Sequence, residues 1–335
     1  MNKTVRALLL IVATLPLGAR LAGADTDSLK ALYKRPTEIP FPANAPYSPQ
    51  IATLGKMLFF DPRLSGAQNL SCASCHNPSF GYEVPVPGAI GAANTPLPRK
   101  APTVLNAAFT APLFWDGRAK SLEEQAQGPI GAPGEMNGKF DDIIPRIHAI
   151  REYDDWFRRL FPKDGAAKDN ILAAIATYER TVVTGLAPFD RWVDGDESAL
   201  SDAAKRGFAL FNGKAGCANC HTGWNFTDNK FHSLGIGDAD VGRGKYEPDN
   251  VQAQNAFKTP GLRNLIYRAP FGHAGQFADL GAIIRFYQTG GGDTASKSPL
   301  LKPFHLTDDE QGDLLAFLKS LTADKVETPL PNLPN

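Results

Sequence analysis

The chain has 335 residues, 43% of them hydrophobic and 21% charged, and its 35 basic and 35 acidic residues cancel to a formal charge of zero. A neutral chain has no global field to gather nucleic acid or an anionic membrane, so any partner must be recognised through a local patch. Ordinary apolar content without net charge also excludes wholesale disorder, and the length allows two domains, each able to bury its own core.

The first 24 residues read as a targeting segment. Lys3 and Arg6 form a basic start, Ala7 to Leu17 is an apolar run too short for a permanent span, and Ala22-Gly23-Ala24 is an A-x-A cleavage pattern. We therefore expect a signal peptide over 1–24 and a periplasmic chain beginning at Asp25. No long apolar run follows, so no membrane insertion of that chain is expected.

All four cysteines fall in two pairs, Cys72/Cys75 and Cys217/Cys220, and each pair is followed at once by a histidine, His76 and His221. C-x-x-C-H is the attachment pattern of c-type haem. Each thiol adds to a haem vinyl group, and the adjacent histidine is then held under the ring as an iron ligand. A zinc site joining the pairs would leave the two matched histidines unexplained, and a thioredoxin-like site would need only one pair in a βαβ setting. The pattern predicts two covalent haems and leaves no cysteine for a disulfide.

The haem motifs belong to a repeated unit. Gly55-Lys-Met-Leu-Phe59 leads into the first and Gly207-Phe-Ala-Leu-Phe211 into the second. Further on, the segment from Pro102 through Asn106, Ala111-Pro112 and Trp115 to Gly117 runs in register with that from Pro260 through Asn264, Ala269-Pro270 and His273 to Gly275. Trp115 and His273 hold equivalent positions. Internal repetition is first of all evidence about architecture, and it predicts two related cytochrome c-like domains.

Helical spacing of apolar residues appears over 141–161 and 169–184, and Ser201 precedes a short helix. Thr307-Asp-Asp-Glu310 is a capping box that opens a terminal helix with Leu314, Leu315, Phe317, Leu318 and Leu321 apolar. With 31 Gly and 27 Pro, much of the rest must be irregular. The expected fold is mainly α: an N-terminal haem domain over 25–188, a C-terminal one over 189–335, long loops, and a hinge over 185–197.

The run Gly55 to Ser65, the first haem motif, Pro102 to Asn106, Phe114-Trp115-Asp116-Gly117-Arg118, Glu124 to Pro129 and Glu135-Met136-Asn137 resemble bacterial dihaem cytochrome c peroxidases and the related MauG proteins. The resemblance covers nearly the whole mature chain. It implies that the N-terminal haem activates hydrogen peroxide and that the C-terminal haem stores or relays an oxidising equivalent. Glu135 matches the family's distal-pocket acid, a sensible general acid/base for moving a proton between peroxide oxygens. Gln125 and Pro129 match other distal positions, and Trp115 matches a tryptophan that carries electrons between the haems. A calcium ion between the domains is implied as well, although Lys100 stands where an asparagine commonly precedes the Pro-Thr segment.

Two departures from the ordinary peroxidases point to a subclass. Many of them carry a histidine in the loop that closes the first haem, whereas residues 89–99 read AIGAANTPLPR. They also ligate the second haem with a methionine, and here Leu280 to Tyr287 reads LGAIIRFY. The resemblance to MauG makes Tyr287 the candidate sixth ligand, a hard anionic donor that favours ferric and higher-valent iron. His273 is the rival ligand, although its position opposite Trp115 suits a loop hydrogen bond or a propionate contact better. His148, His232 and His305 read as helix-face or loop histidines.

The resemblance thus implies a MauG-like enzyme that uses peroxide to oxidise aromatic side chains of an exported protein through high-valent iron shared by two haems. One alternative is a peroxidase drawing electrons from a small cytochrome or cupredoxin. Another is an electron-transfer cytochrome without catalysis.

Overall fold

The computed structural model describes residues 26–324 and 328–335; the expected signal peptide lies outside them. Helices dominate, and the regular β structure among the described residues is one antiparallel pair, β1 (Phe231–Ser233) and β2 (Ala256–Lys258), in the register Phe231 to Lys258.

Each half of the chain is built on one crossed helix pair. In the first, Ser48 caps α2 (Pro49–Phe60) by accepting from the Ile51 N–H at 3.3 Å, and Pro49 occupies the first turn, where its missing N–H costs nothing. It crosses α7 (Lys168–Thr181) at Gly55, where a Cβ would overlap the Ala174 carbonyl oxygen. In the second, Ser201 caps α9 (Asp202–Asn212), which crosses α11 (Asp308–Ser320) at Gly207, against the Asp313 carbonyl. Glycine is required at both crossings because the backbones touch. The Thr307–Glu310 capping box expected for α11 is formed: the Glu310 N–H donates to Thr307 Oγ1 at 3.2 Å and the Thr307 N–H to Glu310 Oε2 at 2.9 Å.

The repeat extends to the turns. Asn106 and Asn264 both take left-handed φ, 62° and 54°, which asparagine tolerates better than most residues. Asn106 Oδ1 accepts from the Thr184 N–H at 3.0 Å and Asn264 Oδ1 from the Ala323 N–H at 3.0 Å, so each pins the chain leaving its domain's last long helix. Short bridges, Leu113 with Ala119 and Phe271 with Phe277, pinch off the loop tips that carry Trp115 and His273. The Ala111-Pro112 and Ala269-Pro270 bonds are both cis.

One core gathers Leu54, Leu58, Phe59, Ile143, Phe157 and Ile175; the other gathers Phe189, Trp192, Phe208, Phe211, Phe226 and Phe317. Two sequence expectations change in detail. The periodic stretch 141–161 is two helices, α5 (Phe140–His148) and α6 (Arg151–Leu160), separated at Ala149 and Ile150. The expected hinge over 185–197 contains α8 (Pro188–Val193), whose Phe189 and Trp192 are buried; Asp190 Oδ2 accepts from the Ala187 N–H at 2.8 Å and starts it. Packing also departs from chain order at both ends. Leu29 of α1 (Thr26–Leu32) and Tyr33 belong to the second core, where the Tyr33 hydroxyl donates to Asn212 Oδ1 at 2.7 Å, whereas Leu333 packs on the first core. Among the described residues, no helix is long and apolar enough to cross a membrane.

Candidate haem and redox site

Both C-x-x-C-H motifs sit in short helical turns, α3 (Cys72–Cys75) and the turn Cys217–Asn219, and none of the four thiols is in a disulfide. The following histidines are oriented identically. His76 Nδ1 lies 3.2 Å from the Tyr82 carbonyl and His221 Nδ1 lies 3.0 Å from the Phe226 carbonyl. A carbonyl partner makes Nδ1 the protonated nitrogen and leaves Nε2 with its lone pair for a metal. Burial pushes both imidazoles below their ordinary pKa, which keeps them neutral and able to ligate.

A cavity faces each histidine. That beside His76 spans about 870 Å³ and that beside His221 about 1560 Å³, open mouths included; the first is lined by Leu105, Phe114, Trp115, Leu122, Gln125 and Glu179 among others, the second by both second-motif cysteines, Leu265, Phe271, Ile284 and Tyr287 among others. The first cavity also holds an orphan: Glu179 Oε2 is buried without a hydrogen-bond partner. Apolar walls, a histidine with its outer nitrogen available and adjacent unbridged thiols fit a covalently attached haem in each half.

The expected site residues are placed as follows. Gln125, on α4 (Leu122–Gly131), lines the first cavity, and Pro129 lies in the same helix. Glu135 follows α4 in the turn from Ala132 and does not line that cavity; its carboxyl lies near Cys75 and Arg118. Burial pushes it above the ordinary carboxylate range, and Arg118 pulls it back part of the way. The histidine-free loop packs directly on this turn, with the Ala92 N–H donating to the Glu135 carbonyl at 2.7 Å. Tyr287, on α10 (Leu280–Gln288), lines the second cavity together with His221, and burial raises its phenol.

Trp115 lines both cavities. Its indole N–H donates to the Lys100 carbonyl at 2.9 Å, and its own carbonyl accepts from the Lys258 N–H of the other half at 2.8 Å. His273, its repeat counterpart, meets it across the interface with ring centroids 6.5 Å apart and stacks on Phe257 at 3.6 Å. His273 Nε2 lies 2.8 Å from Asp238 Oδ2, so the nitrogen that would serve as ligand is already engaged. His148 pairs with Asp154 at 2.7 Å on the surface.

Two residues at these cavities, Glu179 and Lys258, were not singled out from the sequence, and a third, His232, was read as a helix-face or loop histidine but lies in β1 and lines the second cavity. Glu179 is hidden in an apolar helix face next to Arg180, and its burial pushes it up to about 8. Lys258 lines both cavities, donates to the Pro112 carbonyl at 2.8 Å and is pushed down to about 8 by burial. His232 lines the second cavity and lies 2.9 Å from Asp228, which with Cys220 nearby holds it up at about 9.

Residues 49–198 match the family model described as di-haem cytochrome c peroxidase, and residues 204–322 match the cytochrome c model. The chain is 47% identical to the methylamine utilization protein MauG of Methylorubrum extorquens, over 95% of this chain and 92% of that protein. It is 41% identical to the protein of the same name from Methylophilus methylotrophus, over 98% and 99%. Relatives named cytochrome-c peroxidase match at 36%. The crystal structure of a MauG-like protein associated with microbial copper homeostasis superposes with a TM-score of 0.81 at 31% identity, over 87% of this chain and 95% of that one. The chain belongs to the di-haem cytochrome c peroxidase and MauG family of haem-dependent, peroxide-using oxidoreductases.

Proposed function

We propose that this protein is a periplasmic MauG-like enzyme that uses hydrogen peroxide to oxidise aromatic side chains, tryptophan above all, in an exported partner protein. The observation that carries the reading is Tyr287 facing the second cavity beside His221, at the position where the sequence resemblance puts methionine in ordinary peroxidases. The 47% identity to a MauG protein supports it.

Cys72, Cys75 and His76 would hold one haem, and Cys217, Cys220 and His221 the other. When bound, these haems supply peroxide binding and one-electron redox chemistry. The chain's own residues do the rest. Glu135, its carboxyl raised by burial, is the group that would take up and give back a proton at its side-chain oxygens. Gln125 presents an amide to the first cavity, where it orients the polar end of a small oxidant. Trp115, fixed at both its N–H and its carbonyl, gives an aromatic stepping point between the two cavities. Tyr287, which lines the second cavity with His221, would offer a hard oxygen donor to the haem held there.

The test begins with the diferric holoprotein. Stoichiometric peroxide should produce a long-lived change in its absorption spectrum without prior reduction, and that change should decay faster when an exported protein with an accessible tryptophan is added. The family model's peroxidase description favours a second reading, in which a small cytochrome or cupredoxin is the electron donor. A requirement for one-electron pre-reduction, followed by rapid turnover with such a donor, would decide for that reading.

A further inference from the structure

The wall between the two cavities contains a buried ion cluster that the proposed reaction does not use. Lys100 and Glu83 are each only 3% exposed. Lys100 Nζ lies 3.1 Å from Glu83 Oε2 and donates to the Val84 carbonyl at 2.5 Å. From the other half of the molecule, Arg268 Nε donates to Glu83 Oε1 at 2.7 Å, while its Nη1 reaches the Gly261 and Arg263 carbonyls at 2.9 and 3.1 Å. One carboxylate is thus faced by two cations.

The backbone of Lys100 is equally committed. Its N–H donates to the His273 carbonyl across the domain interface at 2.8 Å, and its carbonyl accepts the Trp115 indole N–H. One residue therefore carries a buried positive charge, bridges the halves and holds Trp115.

The family resemblance implies a calcium ion between the domains, with asparagine at this position. A calcium site needs six to eight oxygen ligands at about 2.3–2.6 Å. Here the acceptors around position 100 are taken by an ammonium, and the asparagine oxygen is replaced by a group with three donors and no acceptor. The donor set does not fit a divalent ion. We propose that Lys100 is a built-in cation: its ammonium, rather than bound calcium, neutralises Glu83 between the domains and fixes the loop that positions Trp115. The charge cannot dissociate, so the junction does not depend on the calcium concentration outside the cytoplasm.

The test uses the diferric holoprotein carrying both haems. Treatment with EGTA and desalting should leave its electron paramagnetic resonance spectrum, both haem potentials and its thermal midpoint unchanged, and elemental analysis should find far less than one calcium per chain. Stoichiometric calcium, or a chelator-induced change reversed by adding calcium, would overturn the proposal. Lys100→Met keeps most of the side-chain length without the charge. It should lower the thermal midpoint and lower the potential of the second haem, because a fixed positive charge beside that cavity has been removed. Wild-type potentials in this variant would also overturn it. Should it fail to acquire both haems, Glu83→Gln decides: removing the counter-charge should raise the second haem's potential, and an unchanged value would count against the built-in cation.

Discussion

Among single residues, Trp115 shows how much depends on two hydrogen bonds. An indole between two cavities gains direction only when its ring is fixed, and the Lys100 and Lys258 contacts fix it from opposite halves. Glu135 and Tyr287 differ from it in what they expect from the medium. Burial raises both groups: Arg118 pulls Glu135 part of the way back, whereas the nearby Cys217 and Cys220 add to the rise at Tyr287. Glu135→Gln should slow the reaction of the diferric protein with peroxide by roughly 10² to 10⁴-fold while leaving the ferric spectrum intact, as stopped-flow absorption would show. Tyr287→Phe should change the electron paramagnetic resonance signal of the second haem and not that of the first; an unaltered signal removes it as a ligand.

Glu179 belongs at the same scale. Its folded-state pKa is raised from 4.5 to about 8 by burial, so the neutral acid is the form the fold accepts. Its contribution to stability is complete below about pH 4.5 and is lost as pH rises through about 8. Glu179→Gln, which is neutral at every pH, should remove that slope. Urea midpoints measured at about pH 5 and about pH 9 check it, and equal slopes for both proteins would be the contrary result.

Among elements, the two helix crossings explain why both repeats begin with glycine. Glycine in a helix interior costs about 0.5–1 kcal/mol relative to alanine, a penalty the fold accepts because the backbones of α2 and α7, and of α9 and α11, are in contact there. Gly55→Ala recovers that propensity but drives a methyl into the Ala174 carbonyl, and forced overpacking costs about 1–3 kcal/mol. Overpacking wins, so Gly55→Ala and Gly207→Ala should each lower the thermal midpoint; a rise in either would show that the helices separate freely. Asn106 and Asn264 do related work at the turns, where a left-handed backbone and a side-chain oxygen on a distant N–H are both needed. Their identical spacing in the two repeats is the footprint of that double requirement.

For the whole molecule, the two halves are held by polar contacts near Trp115 as well as by the exchange of chain ends. Arg99 Nε donates to Asp240 of the other half at 2.6 Å while Arg99 Nη1 pairs with Asp116 at 2.6 Å. The first helix of the described chain docks on the second core through Leu29 and Tyr33, and Leu333 returns to the first. Because Trp115 sits in this seam, Trp115→Phe should leave each half folded and slow the sharing of oxidising equivalents between haems. Partner oxidation should fall far more than peroxide consumption, and a parallel fall in both would argue against a relay.

Haem attachment, duplication and the mainly helical fold were legible in the sequence, because local chemistry fixes them: thiol spacing for the vinyl groups, a histidine beside them, glycine at helix crossings and capping residues at helix starts. Tyr287 could be placed by counting along one helix. The rest depends on which distant segments meet. Nothing local marked Glu179, which lines the first cavity, and the sequence marked Lys100 only as standing in place of an asparagine; that Glu83, Arg268 and His273 surround it is a tertiary fact. The 185–197 stretch read as a hinge because its Gly, Pro and Asp content is local, whereas the burial of Phe189 and Trp192 is tertiary. By itself the sequence determined what the protein attaches and how often. Only the tertiary structure decided which charges are buried together, because desolvation and pairing are set by neighbours far away in the chain.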